Sequence, residues 1–157
     1  MTHFGQLISS LAKASVEFVV IGGVALVGRG GSRATNDLDI VYGRDATNLA
    51  RLVDALAATH PRLRGAPADL PFFFDVRTLK SGLNFTLVTD LGEIDLLGEV
   101  TGLGGFENAV AMSSTMSLFG HEVRVLSLDG LELTKRAVGR AKDLLDLEMI
   151  RALKAKS

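Results

Sequence analysis

Glu17-Phe18-Val19-Val20-Ile21-Gly22-Gly23-Val24-Ala25-Leu26-Val27 carries the chain from a β-branched, aromatic run through a glycine pair into apolar residues. Phenylalanine, valine and isoleucine suit a pleated, half-buried surface, so the stretch predicts a strand closed by Gly22-Gly23 and followed by a helix from Val24. Bare backbone at the glycine pair can approach a phosphate, whose charge the amino terminus of a helix favours. Further on, Gly28-Arg29-Gly30-Gly31-Ser32-Arg33 is too flexible and polar to continue the helix. It lacks the third glycine of the dinucleotide fingerprint and the Gly-Lys-Ser/Thr ending of a P-loop, and is read as neither. Asp37-Leu38-Asp39-Ile40-Val41-Tyr42 then alternates as a strand does.

Asp37 and Asp39 stand two residues apart in that second strand, so their side chains leave one face about 6.6 Å apart along the backbone. Such a pair can embrace a hard cation. In Gly92-Glu93-Ile94-Asp95-Leu96-Leu97, Ile94 and Leu96 alternate against Glu93 and Asp95. If the two strands are neighbours, Asp95 completes a site of three carboxylates. Oxygen donors with no histidine nearby suit Mg²⁺ or Mn²⁺, which take carboxylates, water and substrate phosphates. Two such ions about 3.5–4 Å apart can bridge the attacking and leaving oxygens of a phosphoryl displacement. Taken singly, each acid also fits a solvated position on an edge strand or hairpin.

Around these strands the periodicity predicts a helix from Phe4 ending near Ala14 and another from Asp45 to Thr59, ended by His60-Pro61. Pro61 to Pro71 holds all three prolines of the chain and reads as a surface loop. Leu83–Thr89 and Glu93–Leu97 predict a hairpin across Asp90-Leu91-Gly92. A short helix is expected over Phe106–Met112, and a second hairpin pairs Met116–Phe119 with Glu122–Leu126 across Gly120-His121. Ser127-Leu128-Asp129-Gly130-Leu131-Glu132 reads as a capped helix start, and Gly139 separates that helix from a last one running to about Lys154. The basic residues of this end, interleaved with Asp143, Asp146 and Glu148, fit a solvated helix face with i,i+4 pairs. Phe72-Phe73-Phe74 fits a plug at the core edge better than a platform for stacking a base.

At 157 residues and 47% hydrophobic content, the chain is long enough for one core and short for two. It is read as one domain over 1–157, with a core to about 126 and a small helical cap over about 127–157. The fold class is mixed α/β, a mixed sheet flanked by helices. Cys 0 excludes disulfides and thiolate ligands, so any metal must take oxygen or histidine. His3, His60 and His121 are too dispersed for a metal cluster. A formal charge of -1 gives no global pull onto nucleic acid. The apolar run Phe18–Val27 falls well short of the roughly 18 residues of a membrane span. No secretory signal is read at the amino terminus, and a cytoplasmic location is expected.

Val20-Ile21-Gly22-Gly23-Val24-Ala25-Leu26, followed by Arg33-Ala34-Thr35-Asn36-Asp37-Leu38-Asp39-Ile40, resembles the first motif of the DNA polymerase β-like nucleotidyltransferases. The Gly-Gly form and the Arg-x-Thr before the acids are similar to the abortive-infection toxin branch. Strand Val123–Leu126, a helix carrying Lys135-Arg136 and the start Arg140-Ala141-Lys142-Asp143 resemble the family's later pattern. The resemblance implies a nucleotidyltransferase-like fold in which Asp37, Asp39 and Asp95 bind Mg²⁺ (or Mn²⁺) and act in catalysis. It implies an NTP held at Gly22, Gly23 and Lys135, with Arg140 and Lys142 assisting or orienting acids with Asp143 and Asp146. The family's usual serine after the first glycine is Gly23 here, and its hydroxyl falls to Ser32, to Thr35 or to neither. The acceptor is left open among RNA, protein and a small molecule, with RNA or protein named first, and a cognate antitoxin or a second copy of the chain is read as partner. Two other readings stay open: a nucleotide- or partner-binding module without turnover, and a metal-dependent phosphohydrolase using the same acids.

Overall fold

A computed structural model describes residues 1–67 and 69–156, so Ala68 of the proline loop and Ser157 lie outside the described residues. The elements in chain order are α1 (Phe4–Lys13), β1 (Phe18–Ile21), α2 (Gly22–Gly28), β2 (Asp37–Tyr42), α3 (Ala46–Leu56), β3 (Arg62–Leu63), α4 (Val76–Ser81), β4 (Asn84–Thr89), β5 (Gly92–Leu97), α5 (Phe106–Ala111), β6 (Ser113–Leu118), β7 (His121–Leu126), α6 (Leu128–Val138) and α7 (Ala141–Ala155). The strands form one mixed sheet in the order β3-β4-β5-β2-β1-β7-β6. β2 runs parallel to β5 and antiparallel to β1, while β1 and β7 are parallel. The mixed α/β class read from the sequence is the class observed.

Alternation in the strands separates two faces. Leu38 and Ile40 of β2, Ile94 and Leu96 of β5 and Leu87 of β4 are fully buried in one hydrophobic cluster that also takes Leu7, Ile8 and Leu11 of α1 and Leu49 and Leu52 of α3. Side chains at alternate positions point to opposite faces, so Asp37, Asp39, Glu93 and Asp95 share the other face. At the end of β1 and β2, Asn48 locks α3 to the sheet: its Oδ1 accepts from Glu17 N at 2.7 Å and its Nδ2 donates to Gly43 O at 2.7 Å. Asp45 caps α3 by accepting from Asn48 N, and Ser127 caps α6 by accepting from Gly130 N.

Four local expectations change. The helix after β1 begins at Gly22 itself, so the glycine pair forms its first turn. The β6–β7 hairpin starts at Ser113 and turns at Phe119-Gly120, both with positive φ, which leaves His121 in β7. Ser113 to Thr115 carry no apolar alternation because β6 is an edge strand paired only with β7. The proline loop contains the two-residue strand β3, which pairs with β4. Helix α4, capped by Asp75 accepting from Thr78 N, lies in a stretch too short to show a period. In the aromatic triplet, Phe72 and Phe74 pack against the core, whereas Phe73 is exposed.

Candidate metal and nucleotide site

The parallel register of β2 and β5 sets Asp39 beside Asp95 and Asp37 beside Glu93. Asp37, Asp39 and Asp95 thereby come together, each offering a carboxylate oxygen within 4.8 Å of the others. The antiparallel register of β1 and β2 sets Ile21 opposite Asp39, so the next residue, Gly22, begins α2 against that carboxylate. Gly22 has φ +66°, and a Cβ there would overlap the Asp39 carboxyl group. Glycine is required twice over, by conformation and by space.

Asp39 Oδ1 is buried and has no hydrogen-bond partner among the described residues. Burial, then the charges of Asp37 and Asp95, push the Asp39 carboxyl up to about 8. Burial also raises Asp95, against the pull of a hydrogen bond with Asp39 and of the Arg64 guanidinium. A cluster of acids that resists its own ionisation and holds an unsatisfied oxygen is chemically matched to a small divalent cation. The three carboxylates fit Mg²⁺ or Mn²⁺ on that ground.

The raised Asp39 fixes the sign of a pH dependence. Folded, Asp39 keeps its proton until about pH 8, whereas unfolded it releases it near its ordinary value of 3.8. Between those values the folded state holds the extra proton, so stability is highest at the acid end and declines as pH rises towards 8. In chelator, the melting temperature should fall across this window, and Asp39→Asn should flatten the fall. An unchanged slope in Asp39→Asn would assign the dependence to another group.

Arg64, from the loop just after β3, enters the acidic face. Its Nη2 lies 2.9 Å from Asp95 Oδ1, its Nη1 3.9 Å from Asp37 Oδ2 and its Nε 3.7 Å from Glu93 Oε2. The same Nη2 donates to Leu87 O at 2.7 Å, and Arg64 N donates to Thr86 O, so the residue is anchored to β4 by backbone and side chain. The sequence reading missed Arg64 and Glu93. The one signal was Arg62-Leu63-Arg64, an alternation hidden between prolines and too short to stand out.

On the Gly22 side, a cleft of about 260 Å³ is lined by Gly22, Asp39, Thr134, Lys135, Arg140 and Asp143, among others. Lys135 Nζ lies 2.9 Å from Asp146 Oδ2 and 3.4 Å from Asp143 Oδ1. Arg140 Nε donates to Asp143 Oδ2 at 2.8 Å, and Arg33 Nη1 lies 2.8 Å from Asp146 Oδ2. Burial would raise Asp143, but the hydrogen bonds from Arg140 and the charge of Lys135 outweigh it and hold the carboxyl below its usual value. The solvated face expected for this end holds at Arg136, Lys142 and Glu148, which are exposed, and is corrected at Asp143 and Asp146. Asp143 and Asp146 are buried while Leu144 and Leu145 are exposed, because three cations from α6, the α6–α7 junction and the glycine-rich loop draw the two acids inward. Lys154 likewise pairs across to Asp129 and Glu132 of α6 rather than along its own helix. Arg33 is a further residue of this network that the sequence reading did not single out.

The remaining candidates divide. Thr35 Oγ1 would lie 2.7 Å from a Cβ at Gly23, so its hydroxyl fills the space beside that glycine. Ser32 and Lys142 are exposed, and neither lines the cleft. Among the described residues, no helix is long and apolar enough to cross a membrane.

No protein-family model matches the sequence, and no curated protein matches it. Solved structures do match in fold. The lincosamide antibiotic adenylyltransferase LnuA, in its lincomycin-bound crystal structure, superposes with a TM-score of 0.64 at 13% identity, covering 98% of each chain. A Thermotoga maritima protein described as a nucleotidyltransferase gives a TM-score of 0.56 at 14% identity, covering 100% of this chain and 97% of its own. The chain has a nucleotidyltransferase-like fold.

Proposed function

We propose that the protein is a metal-dependent nucleotidyltransferase, moving a nucleoside monophosphate from an NTP to an acceptor hydroxyl. One observation carries this reading: three carboxylates from two adjacent strands converge at the glycine start of a helix, across a cleft from a lysine. A divalent cation held by Asp37, Asp39 and Asp95 would neutralise charge on the phosphates and favour ionisation of the acceptor hydroxyl. The chain's own residues do the rest by positioning and charge complementarity. Gly22 and Gly23 admit the phosphates close to backbone, and Lys135, held by Asp143 and Asp146, presents a fixed ammonium to them. Arg140 lines the same cleft, Lys142 is exposed outside it, and Asp95 takes the acceptor's proton. The fold likeness to LnuA makes ATP the first nucleotide and lincomycin a first acceptor to test. Arg33-Ala34-Thr35 before the acids supports a place near the abortive-infection toxins and hence an antitoxin partner.

Thr35 supplies the hydroxyl that the family places one residue after the first glycine, in preference to the exposed Ser32. Gly23→Ser alone should clash with Thr35 and cost about 1–3 kcal/mol of stability. Adding Thr35→Ala should recover most of the loss and keep Mg²⁺-NTP affinity. Melting curves decide it, because a double variant no more stable than the single one removes the steric substitution.

The function itself is tested with NTPs labelled at the α- or the γ-phosphate. Transfer predicts α-label on an acceptor and γ-label in pyrophosphate. A hydrolase would release label without labelling any acceptor, and a module without turnover would bind NTP and leave it intact.

A further inference from the structure

Asp37, Asp39, Glu93 and Asp95 share one face of β2 and β5, and the guanidinium of Arg64 stands among three of them. Its nitrogens are shared out: Nη2 lies 2.9 Å from Asp95 Oδ1, Nε 3.7 Å from Glu93 Oε2 and Nη1 3.9 Å from Asp37 Oδ2. Asp39 is the acid it does not pair with. Among the described residues Asp39 takes part in no ion pair, and its buried Oδ1 has no hydrogen-bond partner. Asp39 also differs from the other three in lining the Gly22 cleft.

The sheet fixes the guanidinium in this position. Arg64 N donates to Thr86 O at 2.9 Å and Nη2 donates to Leu87 O at 2.7 Å, so both ends of the residue are tied to β4. Swinging out would forfeit the carbonyl and the carboxylates together. Arginine keeps its proton at any ordinary pH, so the charge is permanent.

We infer that Arg64 is a resident counter-ion that takes the place of one metal ion, so that the centre holds a single divalent cation on the Asp39 side; the inference rests on the transfer reading above. Two metal ions about 3.5–4 Å apart draw on shared carboxylates. Here the acids available for sharing with Asp39, namely Asp37 and Asp95, already face a fixed positive charge. A second divalent ion on that side meets like charge at close range. A guanidinium neutralises and holds Asp95, but it has no open position for water or an alkoxide. Arg64 is therefore a positioning residue, and the acceptor's proton falls to Asp95.

The probe is Mn²⁺ with a saturating non-hydrolysable NTP, read by equilibrium dialysis against an NTP blank and by electron paramagnetic resonance. Wild type should bind about one ion per chain and keep the resolved hyperfine lines of an isolated ion, whereas Arg64→Ala should bind about two and show the spin-coupled signal of a close pair. Added guanidinium ion should displace the second ion from Arg64→Ala and leave the first. Should Arg64→Ala fail to fold, Arg64→Gln repeats the test with an amide in place of the guanidinium. A coupled pair in the wild type, or a lone ion in every variant that folds, overturns the counter-ion role and leaves the transfer reading standing. No Mn²⁺ bound by the wild type overturns both. A lone ion in the wild type and a pair in the variant, with no label passing from α-labelled NTP to any acceptor, upholds the role of Arg64 while the transfer reading fails.

Discussion

On the proposed reading, Asp39→Asn should lower the rate of nucleotidyl transfer by at least about 100-fold, because a cation held by the three acids would contribute several kcal/mol of charge stabilisation, and should at the same time raise the melting temperature of the metal-free protein near pH 8. The two effects have one cause. Asp39 sits between Asp37 and Asp95 with a buried oxygen that has no hydrogen-bond partner among the described residues, and its ionisation is opposed by burial and by both neighbours. Asparagine keeps the shape and removes the charge, so the metal-free fold is relieved of a repulsion that otherwise only a proton or a bound cation would offset. Active sites commonly trade stability for function in this way. A variant that keeps activity, or one that melts lower in chelator near pH 8, contradicts the account.

Lys135→Met carries the second large effect, on stability and on nucleotide binding together. The lysine stands between two buried acids, at 2.9 Å from Asp146 and 3.4 Å from Asp143. Removing one partner of a buried ion pair costs about 3–5 kcal/mol, which for a chain of this size lowers the melting temperature by roughly 6–20 °C. Arg33 and Arg140 remain as partners, so the lower half of that range is expected. NTP affinity should fall about tenfold or more with the lost charged hydrogen bond. Unchanged melting would show that the acids do not depend on Lys135, and unchanged NTP affinity would remove its phosphate role.

How far the sequence foretold this site follows from which signals are local. Strand Asp37–Tyr42 and the caps Asp45 and Ser127 were readable because each depends on alternation or on a side chain a few residues from its target. Asp95 was readable as a candidate through Ile94 and Leu96, but its meeting with Asp39 depends on the pairing of β2 with β5, which joins residues far apart in the chain. Arg64 was hidden because a two-residue strand carries no period, and proline made the segment read as a loop. Asp143 and Asp146 were misjudged for a different reason. Acids among lysines on a helix usually face water, and only the approach of Arg33 and Lys135 from other elements turns them inward. Chemistry-bearing residues were legible by type and spacing, whereas their counter-ions depended on tertiary neighbours.

The most direct measurement is a Mn²⁺ titration followed by electron paramagnetic resonance, in wild type and in Asp37→Asn, Asp39→Asn and Asp95→Asn, with and without NTP. If the three carboxylates hold a cation jointly, wild type binds Mn²⁺ saturably, NTP tightens it, and each substitution weakens it by at least about tenfold. Equal binding in all four proteins would contradict a shared metal site and the transfer chemistry built upon it.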